Sequence, residues 1–343
     1  MVTLVAGGSI VLALALWKLK LILMLLFLGI IVAAAMRPGV EALSRRRVPR
    51  GAAVLLHYAV LAGLIIALLW TAVPRAIDQV QQATGDLQTT GAVSQAADDS
   101  TGLKQRLLRG LEKRLERLPA PAELFRTSAE ITFKAFEGLI AIFFVLATAA
   151  YWTFERERAE DFVCRIVPRR HARLVRDTWE LIDLKLGAYV RGQALLIVFV
   201  ATVLSLVFWA IGLRFWLLIG VFAGVVEIVP VIGPLAAGAL AVGVGLTESW
   251  ELALAAGVAV LAVRLLEDYV VIPKVLGEAV GLSPLIVLLS VTASAVLFGE
   301  FAVLLAIPLA AVVATLIDVI VLDVNPAEED VPTVLFPAKE TEA

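Results

Sequence analysis

The sequence predicts an all-α, polytopic membrane protein with about eight transmembrane segments, two of them re-entrant or broken hairpins, and a small helical extra-cytoplasmic insert. Three observations favour this class: a very apolar composition, arginine-rich stretches between the apolar ones, and helix breakers inside one apolar run. Of the 343 residues, 61% are hydrophobic and 17% are charged, whereas soluble domains are typically about 45–50% apolar and about 25% charged. The mean hydropathy of +0.94 therefore indicates that lipid is the main solvent of this chain.

The charged and sulfur-containing residues exclude several other classes. The net charge of −2 is too small to indicate a nucleic-acid partner. The single cysteine, Cys164, allows no intramolecular disulfide and no cysteine-based metal centre. The two histidines, His57 and His171, are too few for most histidine-built metal centres. We therefore expect neither a metal site nor a cofactor.

The alternation of apolar and charged stretches divides the chain into five regions. In the first of them, we expect two membrane segments at roughly 4–17 and 21–36, because Lys18 and Lys20 fit best at a membrane interface. The predicted regions are N-terminal membrane segments in 1–74, an extra-cytoplasmic helical insert in 75–133, a membrane span with a cytoplasmic amphipathic helix in 134–191, a transport region with two hairpins in 192–324, and a disordered cytoplasmic tail in 325–343.

The distribution of arginine predicts the orientation of the chain. Cytoplasmic loops of membrane proteins are enriched in Lys and Arg, and five arginines lie between residues 37 and 50. A second basic stretch, at 155–190, is placed on the same side. Because each predicted hairpin returns the chain to the side that it left, we expect the C-terminus in the cytoplasm as well.

The predicted insert contains leucines at helical spacing from Leu103 to Leu118, interleaved with charged residues. This pattern predicts an amphipathic helix. Its apolar stripe could pack on its own domain, on the membrane surface or on a neighbouring subunit.

The apolar stretch at 215–247 is interrupted at its centre by an acid, two prolines and a glycine. A membrane helix tolerates such a break only where protein or a water-filled cavity satisfies the freed backbone groups. The arms of this first hairpin are 215–229 and 231–247, and a second pair, 285–298 and 301–322, surrounds a Gly-Glu tip. Paired broken helices are typical of secondary transporters, whose binding sites lie near the membrane midplane.

The candidate functional residues lie in and around these two hairpins. The candidate substrate- or ion-binding residues are Glu227, Pro230, Gly233, Pro234, Arg264, Asp268 and Glu300. The candidate hinges or helix breaks are Pro273, Gly277, Gly281, Pro284 and Gly299.

Glu227 is the main candidate, because an acid inside an apolar run is a functional-site hypothesis by default. A carboxyl group in a low-dielectric cavity can cycle a proton near neutral pH or bind a cation. The structural alternative is a vestibule charge, or an ion pair with a basic residue such as Arg264. That arginine, Glu267 and Asp268 have the i, i+3, i+4 spacing of an intrahelical ion pair, which favours a structural role for them.

The helix breakers also have two interpretations. Carbonyl groups freed near Pro230, Gly233 and Pro234 could coordinate an ion or a polar solute, or the segment could be a tight turn. Glu300, beside a glycine in the second tip, could bind solute or lie exposed in a vestibule.

Several motifs spread over nearly the whole chain are similar to those of one transporter family. They are Arg47-Val48-Pro49-Arg50, Gly212-Leu213-Arg214-Phe215, Pro230-Val231-Ile232-Gly233-Pro234, Ile272-Pro273-Lys274-Val275-Leu276-Gly277, Gly281-Leu282-Ser283-Pro284 and Ala306-Ile307-Pro308-Leu309. Together they resemble the autoinducer-2 exporter (AI-2E) family. The resemblance implies a multi-pass transporter of the bacterial inner membrane that assembles as a homo-oligomer, such as a pentamer. It also implies either export of a furanose-derived quorum-sensing signal or antiport of sodium or lithium against protons.

The sequence therefore predicts a secondary transporter that works by alternating access, with Glu227 in coupling. Its partners are expected to be the lipid bilayer and a small polar solute, or a monovalent cation and a proton. The alternative is a passive oligomeric pore or membrane scaffold. An intramembrane enzyme has little support, since Gly281-Leu282-Ser283-Pro284 resembles a serine nucleophile turn only weakly.

Overall fold

The structure is a computed structural model of the single chain. It describes residues 14–63, 128–229, 232–275 and 281–329, with a few isolated positions outside these ranges. These residues form helices and the turns between them, and no strand occurs among them. The prediction of an all-α protein is therefore confirmed. Most of the predicted insert, its leucine stripe, Pro230, Gly277 and most of the predicted tail lie outside the described residues.

The helices are numbered here in chain order. The first four are α1 (Lys20–Arg45), α2 (Arg50–Gly63), α3 (Ser128–Ile166) and α4 (Ala172–Ala210), with a 3₁₀ turn at Arg169–His171 before α4. The later helices are α5 (Trp216–Val226), α6 (Ile232–Glu248), α7 (Trp250–Leu266), a π-helix (Glu267–Val271), α8 (Ile272–Val275), α9 (Pro284–Phe298), α10 (Glu300–Val303) and α11 (Ala306–Ile320).

Three helical stretches are long and apolar enough to cross a membrane. They are Lys20–Arg45, Phe136–Ile166 and Arg169–Ala210. At about 1.5 Å per residue, the 42-residue stretch Arg169–Ala210 exceeds the roughly 30 Å of a hydrocarbon core. Part of it must therefore extend beyond the lipid. The prediction of a membrane protein is confirmed by these helices.

The chain divides into two compact units, each built from stretches that are distant in sequence. Unit 1 comprises residues 1–59, 138–195 and 271–343, and unit 2 comprises residues 60–137 and 196–270. Helix α4 contributes its first part to unit 1 and its second part to unit 2. Each unit has its own buried apolar core.

In unit 1, α1 and α4 approach each other closely through small residues. Gly187 of α4 lies against the carbonyl of Ala34, and a Cβ atom at position 187 would be 2.6 Å from that oxygen. Pro38 lies inside α1 and has no N–H to donate to the Ala34 carbonyl. On the same face, Arg191 Nη1 donates to the Ala35 carbonyl at 3.3 Å. Close backbone contact of this kind is a common way for membrane helices to pack.

In unit 2, the second part of α4 packs with α5, α6 and α7. The buried side chains come from all four helices and include Phe208, Ile219, Ala241 and Ala256. Helix α6 packs against both α5 and α7. The two arms predicted around the first break are therefore helices that pack on each other.

The second predicted hairpin differs in one detail from the expectation. The arm predicted at 301–322 is interrupted after Val303, and α11 begins at Ala306. Pro308, in the first turn of α11, has no N–H for the Leu304 carbonyl, so a continuous helix would lose a hydrogen bond there. Helix α9 packs against both α10 and α11.

The arginine-rich stretch is more helical than a charged loop. Helix α1 continues through Arg37 to Arg45, and α2 begins at Arg50. Arg37 donates to Glu41 one turn later at 2.6 Å and to Glu180 of α4 at 3.0 Å. The pair with Glu180 holds the last turns of α1 against the first part of α4.

The segment after α11 reaches a buried lysine in unit 1. Lys185 of α4 is only 5% exposed, and its Nζ lies 3.2 Å from Thr315 Oγ1 and 2.5 Å from Glu329 Oε1. Asn325 and Glu328 close a turn just before Glu329, with Asn325 Nδ2 donating to Glu328 Oε1 at 2.8 Å. The first residues of the predicted tail thus supply the counter-charge of a buried ammonium group.

Candidate functional site

Four charged side chains meet in unit 2 around one guanidinium group. Arg264, in the last turn of α7, donates through Nη1 to Glu227 Oε1 at 2.9 Å and to Glu267 Oε2 at 3.2 Å. Its Nη2 and Nε lie 2.9 and 3.1 Å from the two carboxylate oxygens of Asp268. One arginine therefore binds three carboxylates. We call Glu227, Arg264, Glu267 and Asp268 the acidic cluster.

Two of these carboxylates are inside the unit. Glu267 is 2% exposed and Glu227 is 7% exposed, whereas the side chains of Arg264 and Asp268 are partly open. Glu267 Oε1 is buried and has no hydrogen-bond donor among the described residues. Buried carboxylate oxygens usually accept hydrogen bonds. An added proton or cation at this atom would supply the partner that it lacks.

The backbone changes its helical geometry at the cluster. Residues Glu267–Val271 form a π-helix between α7 and α8. Pro273, two residues later, has no N–H for the Tyr269 carbonyl, which disfavours a regular α-helical ladder here. Single π-helical turns are rare and occur frequently at functional sites. Here the π-helix begins with the two acids that bind Arg264.

The first predicted break supplies the remaining acid. Helix α5 ends at Val226, and Glu227 follows it directly. Gly233, at the start of α6, lies so close to the Val226 carbonyl that a Cβ atom at this position would be 2.1 Å from the oxygen. The Gly233 N–H donates to the Val229 carbonyl at 2.9 Å. Gly233 and Pro234 thus form a tight helix start, and no solute contact is needed to account for them.

The charges of the acidic cluster do not balance when all four groups are ionised, because three negative charges face one positive charge. Burial of unbalanced charge is strongly unfavourable. A proton on one carboxyl, or a bound monovalent cation, would reduce this excess. The arrangement can therefore exchange a proton or a small cation without any change in its covalent chemistry.

The structure brings together three of the predicted binding residues, Glu227, Arg264 and Asp268. The ion pair between Glu227 and Arg264, which the sequence left as a structural alternative, is present. Glu300 belongs to the other unit and is exposed at the start of α10. The structure gives no reason to group it with the acidic cluster.

The predicted hinge residues that the structure describes lie at helix boundaries. Gly281 and Gly299 have φ angles of 60° and 97°, where glycine is favoured. Pro284 is at the first position of α9, and Ser283 caps that helix by accepting from the Ile286 N–H at 3.4 Å. An N-cap of this kind accounts for the serine without a nucleophilic role.

Glu267 was not among the predicted binding residues. Its spacing from Arg264 indicates an ion pair, but its burial depends on the π-helix and on packing within unit 2. Its neighbour Asp268 is exposed, although both lie on the arginine side of the helix. The sequence feature that could have indicated Glu267 is the acidic pair Glu267-Asp268 followed by Pro273.

Comparisons with known proteins agree with the assignment of this chain to a membrane. The family model for the AI-2E family transporter matches residues 8–322. YrrI of Bacillus subtilis (strain 168), provisionally named a transport protein, is 24% identical over 310 residues, which cover 86% of this chain and 85% of YrrI. YueF of the same organism, named likewise, is 25% identical over 290 residues, covering 79% of this chain and 77% of YueF. The provisionally named permease PerM of Escherichia coli (strain K12) is 27% identical over 198 residues, 55% of each chain.

Proposed function

The chain belongs to the AI-2E family of transporters, and from that premise we propose a secondary transporter coupled to a proton or a monovalent cation through the acidic cluster. The transported solute is a small polar molecule, such as an autoinducer-2-like signal, or the reaction is the exchange of sodium or lithium for protons. We place the protein in the bacterial inner membrane with its C-terminus in the cytoplasm.

The observation that carries this proposal is the excess of carboxylates around Arg264. Two of the three carboxylates are buried, and one of their oxygens has no donor among the described residues. Such a site gains stability from one additional positive charge and loses it when that charge leaves. Coupling requires this property, because the protein must change its preferred state when the ion binds.

The position of Glu227 supports a link between ion binding and movement. It follows α5 directly and precedes the helix break, while the other two acids of the cluster begin the π-helix after α7. A change in the charge of the cluster would therefore act on two irregular backbone segments at once. Irregular backbone within membrane helices is where secondary transporters place their sites. We propose alternating access around these breaks.

The test is gradient-driven transport by protein reconstituted in liposomes, measured as current on a solid-supported membrane. One preparation is screened with sodium, lithium, protons and small polyols. Glu227→Gln keeps the shape of the side chain but removes its ability to gain and release a proton or a cation. It should therefore abolish gradient-driven transport while leaving folding intact. Glu300→Gln should have a smaller effect.

Glu251→Gln is the matched control, because Glu251 is exposed in the first turn of α7 and is not part of the cluster. It should transport like the wild type. Normal transport by Glu227→Gln between about pH 6 and pH 8 would refute the coupling role. Solute flux that continues in that variant without any ion gradient would instead support a passive pore.

We also propose that the transporter is a homo-oligomer, because a carrier that moves one part against another needs an anchored part. Native mass spectrometry in several mild detergents is the measurement, and a monomer in all of them would contradict it.

A further inference from the structure

Glu267 is the most enclosed member of the acidic cluster. It is more deeply buried than Glu227, and its Oε1 atom has no hydrogen-bond donor among the described residues. A carboxylate carries its negative charge on both oxygens, so a buried oxygen without a donor is costly in the ionised form. A neutral carboxyl group reduces that cost, because it needs no counter-charge.

The two buried carboxyl groups of the cluster lie next to each other. Glu227 and Glu267 both accept from Nη1 of Arg264, at 2.9 and 3.2 Å. Their carboxyl groups are also within hydrogen-bonding reach of each other. When both are ionised, they cannot form that hydrogen bond, because neither has a hydrogen to donate. One proton on the pair turns the repulsive contact into a hydrogen bond.

The other charges around Glu267 do not take the place of such a proton. Arg264 and Asp268 are the further charged groups that face Glu267, and Arg264 binds Asp268 through Nε and Nη2 as well. The neighbouring helices of unit 2, α6 and the second part of α4, carry one charged residue, Glu248, at the far end of α6. With three carboxylates and one guanidinium group, one proton lowers the excess from two negative charges to one.

A metal cation has no equivalent position in the cluster. Hard metal cations take about six or more oxygen ligands around one point, and the point that the three carboxylates share is taken by the guanidinium group of Arg264. Among the residues that the structure describes, no group of three or more His, Cys, Asp or Glu side chains is placed to hold a metal ion. A proton needs only one donor oxygen and one acceptor oxygen, which the two glutamates supply.

We propose that the ion of the acidic cluster is a proton, held by Glu267 and donated in a hydrogen bond to Glu227. This inference rests on the proposed function, since it names the ion that the cluster couples to transport. Proton uptake forms an O–H bond on Glu267 with a proton taken from water, and release returns that proton to water. The side chain of Asp268 is partly exposed and marks the open side of the cluster, where the proton enters and leaves.

Infrared difference spectroscopy of the full chain in liposomes tests this proposal without any transported solute. A protonated carboxyl group has a carbonyl stretching band that a carboxylate lacks, and the band is followed while the pH is raised from about 5 to about 9, on both sides of neutrality. The wild type should show a band near neutral pH that Glu267→Gln lacks. At low pH the band should remain in Glu227→Gln at a shifted frequency, because the hydroxyl then donates to an amide oxygen.

A second arm adds sodium or lithium chloride to the wild type at constant pH, with choline chloride at the same ionic strength as the control. Neither metal ion should change the band, because neither replaces the proton on Glu267. Glu251→Gln is the matched control variant, since Glu251 is exposed in the first turn of α7 and lies outside the cluster. It should keep the band and its pH dependence.

An unchanged band in Glu267→Gln, or loss of the band when sodium or lithium is added at constant pH, would overturn the proposal. Glu and Gln have nearly the same shape, and unfolding in detergent shows whether each variant is folded. If Glu267→Gln does not fold, the frequency in Glu227→Gln decides, because a band from a distant carboxyl group would not shift.

The spectroscopic result is independent of the transport assay. A band that depends on Glu267, together with normal gradient-driven transport by Glu227→Gln, would support the proton site and refute its role in coupling. An inactive Glu227→Gln, together with a wild-type band that sodium displaces, would support coupling and refute the proton.

Discussion

At the scale of single residues, the acidic cluster depends on Arg264 more than on any of its acids. Within the cluster, the guanidinium group of Arg264 is the positively charged partner of all three carboxylates. Arginine suits the position because its planar fork donates in several directions at once. Lysine would provide the positive charge, but not the planar fork of donors that reaches the three carboxylates at the same time.

Arg264→Gln should destabilise the protein by about 3 kcal/mol, because it removes the cation that the cluster holds against the buried carboxylates of Glu227 and Glu267. The double variant Arg264→Gln/Glu267→Gln should recover part of this loss, since one buried charge is removed as well. The measurement is the apparent unfolding temperature in detergent. A double variant less stable than Arg264→Gln would contradict the charge-balance argument.

The pair of Lys185 with Glu329 permits a second prediction at this scale. Glu329→Ala should destabilise unit 1 by about 2–3 kcal/mol, because, of its partners in the part of the chain that the structure describes, the buried ammonium keeps only the Thr315 hydroxyl. Glu328→Ala is the control, since the Glu328 side chain is exposed and accepts a hydrogen bond from Asn325 within its own turn. Chemical unfolding in detergent should separate the two variants, and equal stability would show that the lysine does not need Glu329.

At the scale of helices, the start of α6 is defined by a close backbone approach. Gly233→Ala should be destabilising by about 1–3 kcal/mol, because its Cβ would lie 2.1 Å from the Val226 carbonyl, which belongs to the backbone and cannot rotate away. Gly243→Ala, in the same helix, should be neutral or slightly stabilising, because, apart from the adjoining backbone of its own helix, no atom of the described residues lies within 4 Å of the added Cβ. Unfolding curves of the two variants test the turn, and a neutral Gly233→Ala would contradict this description of it.

The sequence predicts the helices better than it predicts where they are interrupted. The break after Glu227 lies where its glycine and prolines indicate, since those residues act on the local backbone. The interruption before α11 also has a local cause in Pro308, but a proline in a first helical turn is common and does not by itself indicate a stop. The π-helix after α7 was not predicted, because its register depends on the ion pairs and packing of unit 2.

The same distinction applies to the candidate site. Glu227 could be recognised from a local signal, an acid in an apolar run. The burial of Glu267 and the pairing of Lys185 with Glu329 could not, because both depend on contacts between segments distant in sequence. Helical spacing shows which residues share a face, but it does not show which face another helix covers.

At the scale of the whole molecule, the orientation in the membrane is the prediction with the widest consequences. In a Cys164→Ser background, Arg45→Cys and Arg170→Cys should react with a membrane-impermeant thiol reagent only from the cytoplasmic side, because basic stretches are retained there. Ser94→Cys, in the predicted insert, should react from outside. Labelling of position 45 in intact cells would reverse the assignment.

The dependence of Lys185 on later residues sets an order of events during protein synthesis. Thr315 follows Lys185 by 130 residues, and at about 5–20 residues per second the ribosome needs roughly 7–26 seconds to make that stretch. Throughout this interval the ammonium group has neither its hydroxyl nor its carboxylate partner. The first part of α4 therefore keeps its lysine hydrated during this time. Unit 1 reaches its final packing only after the ribosome has passed Glu329. A premature stop codon far downstream would thus act on a helix that had been translated long before.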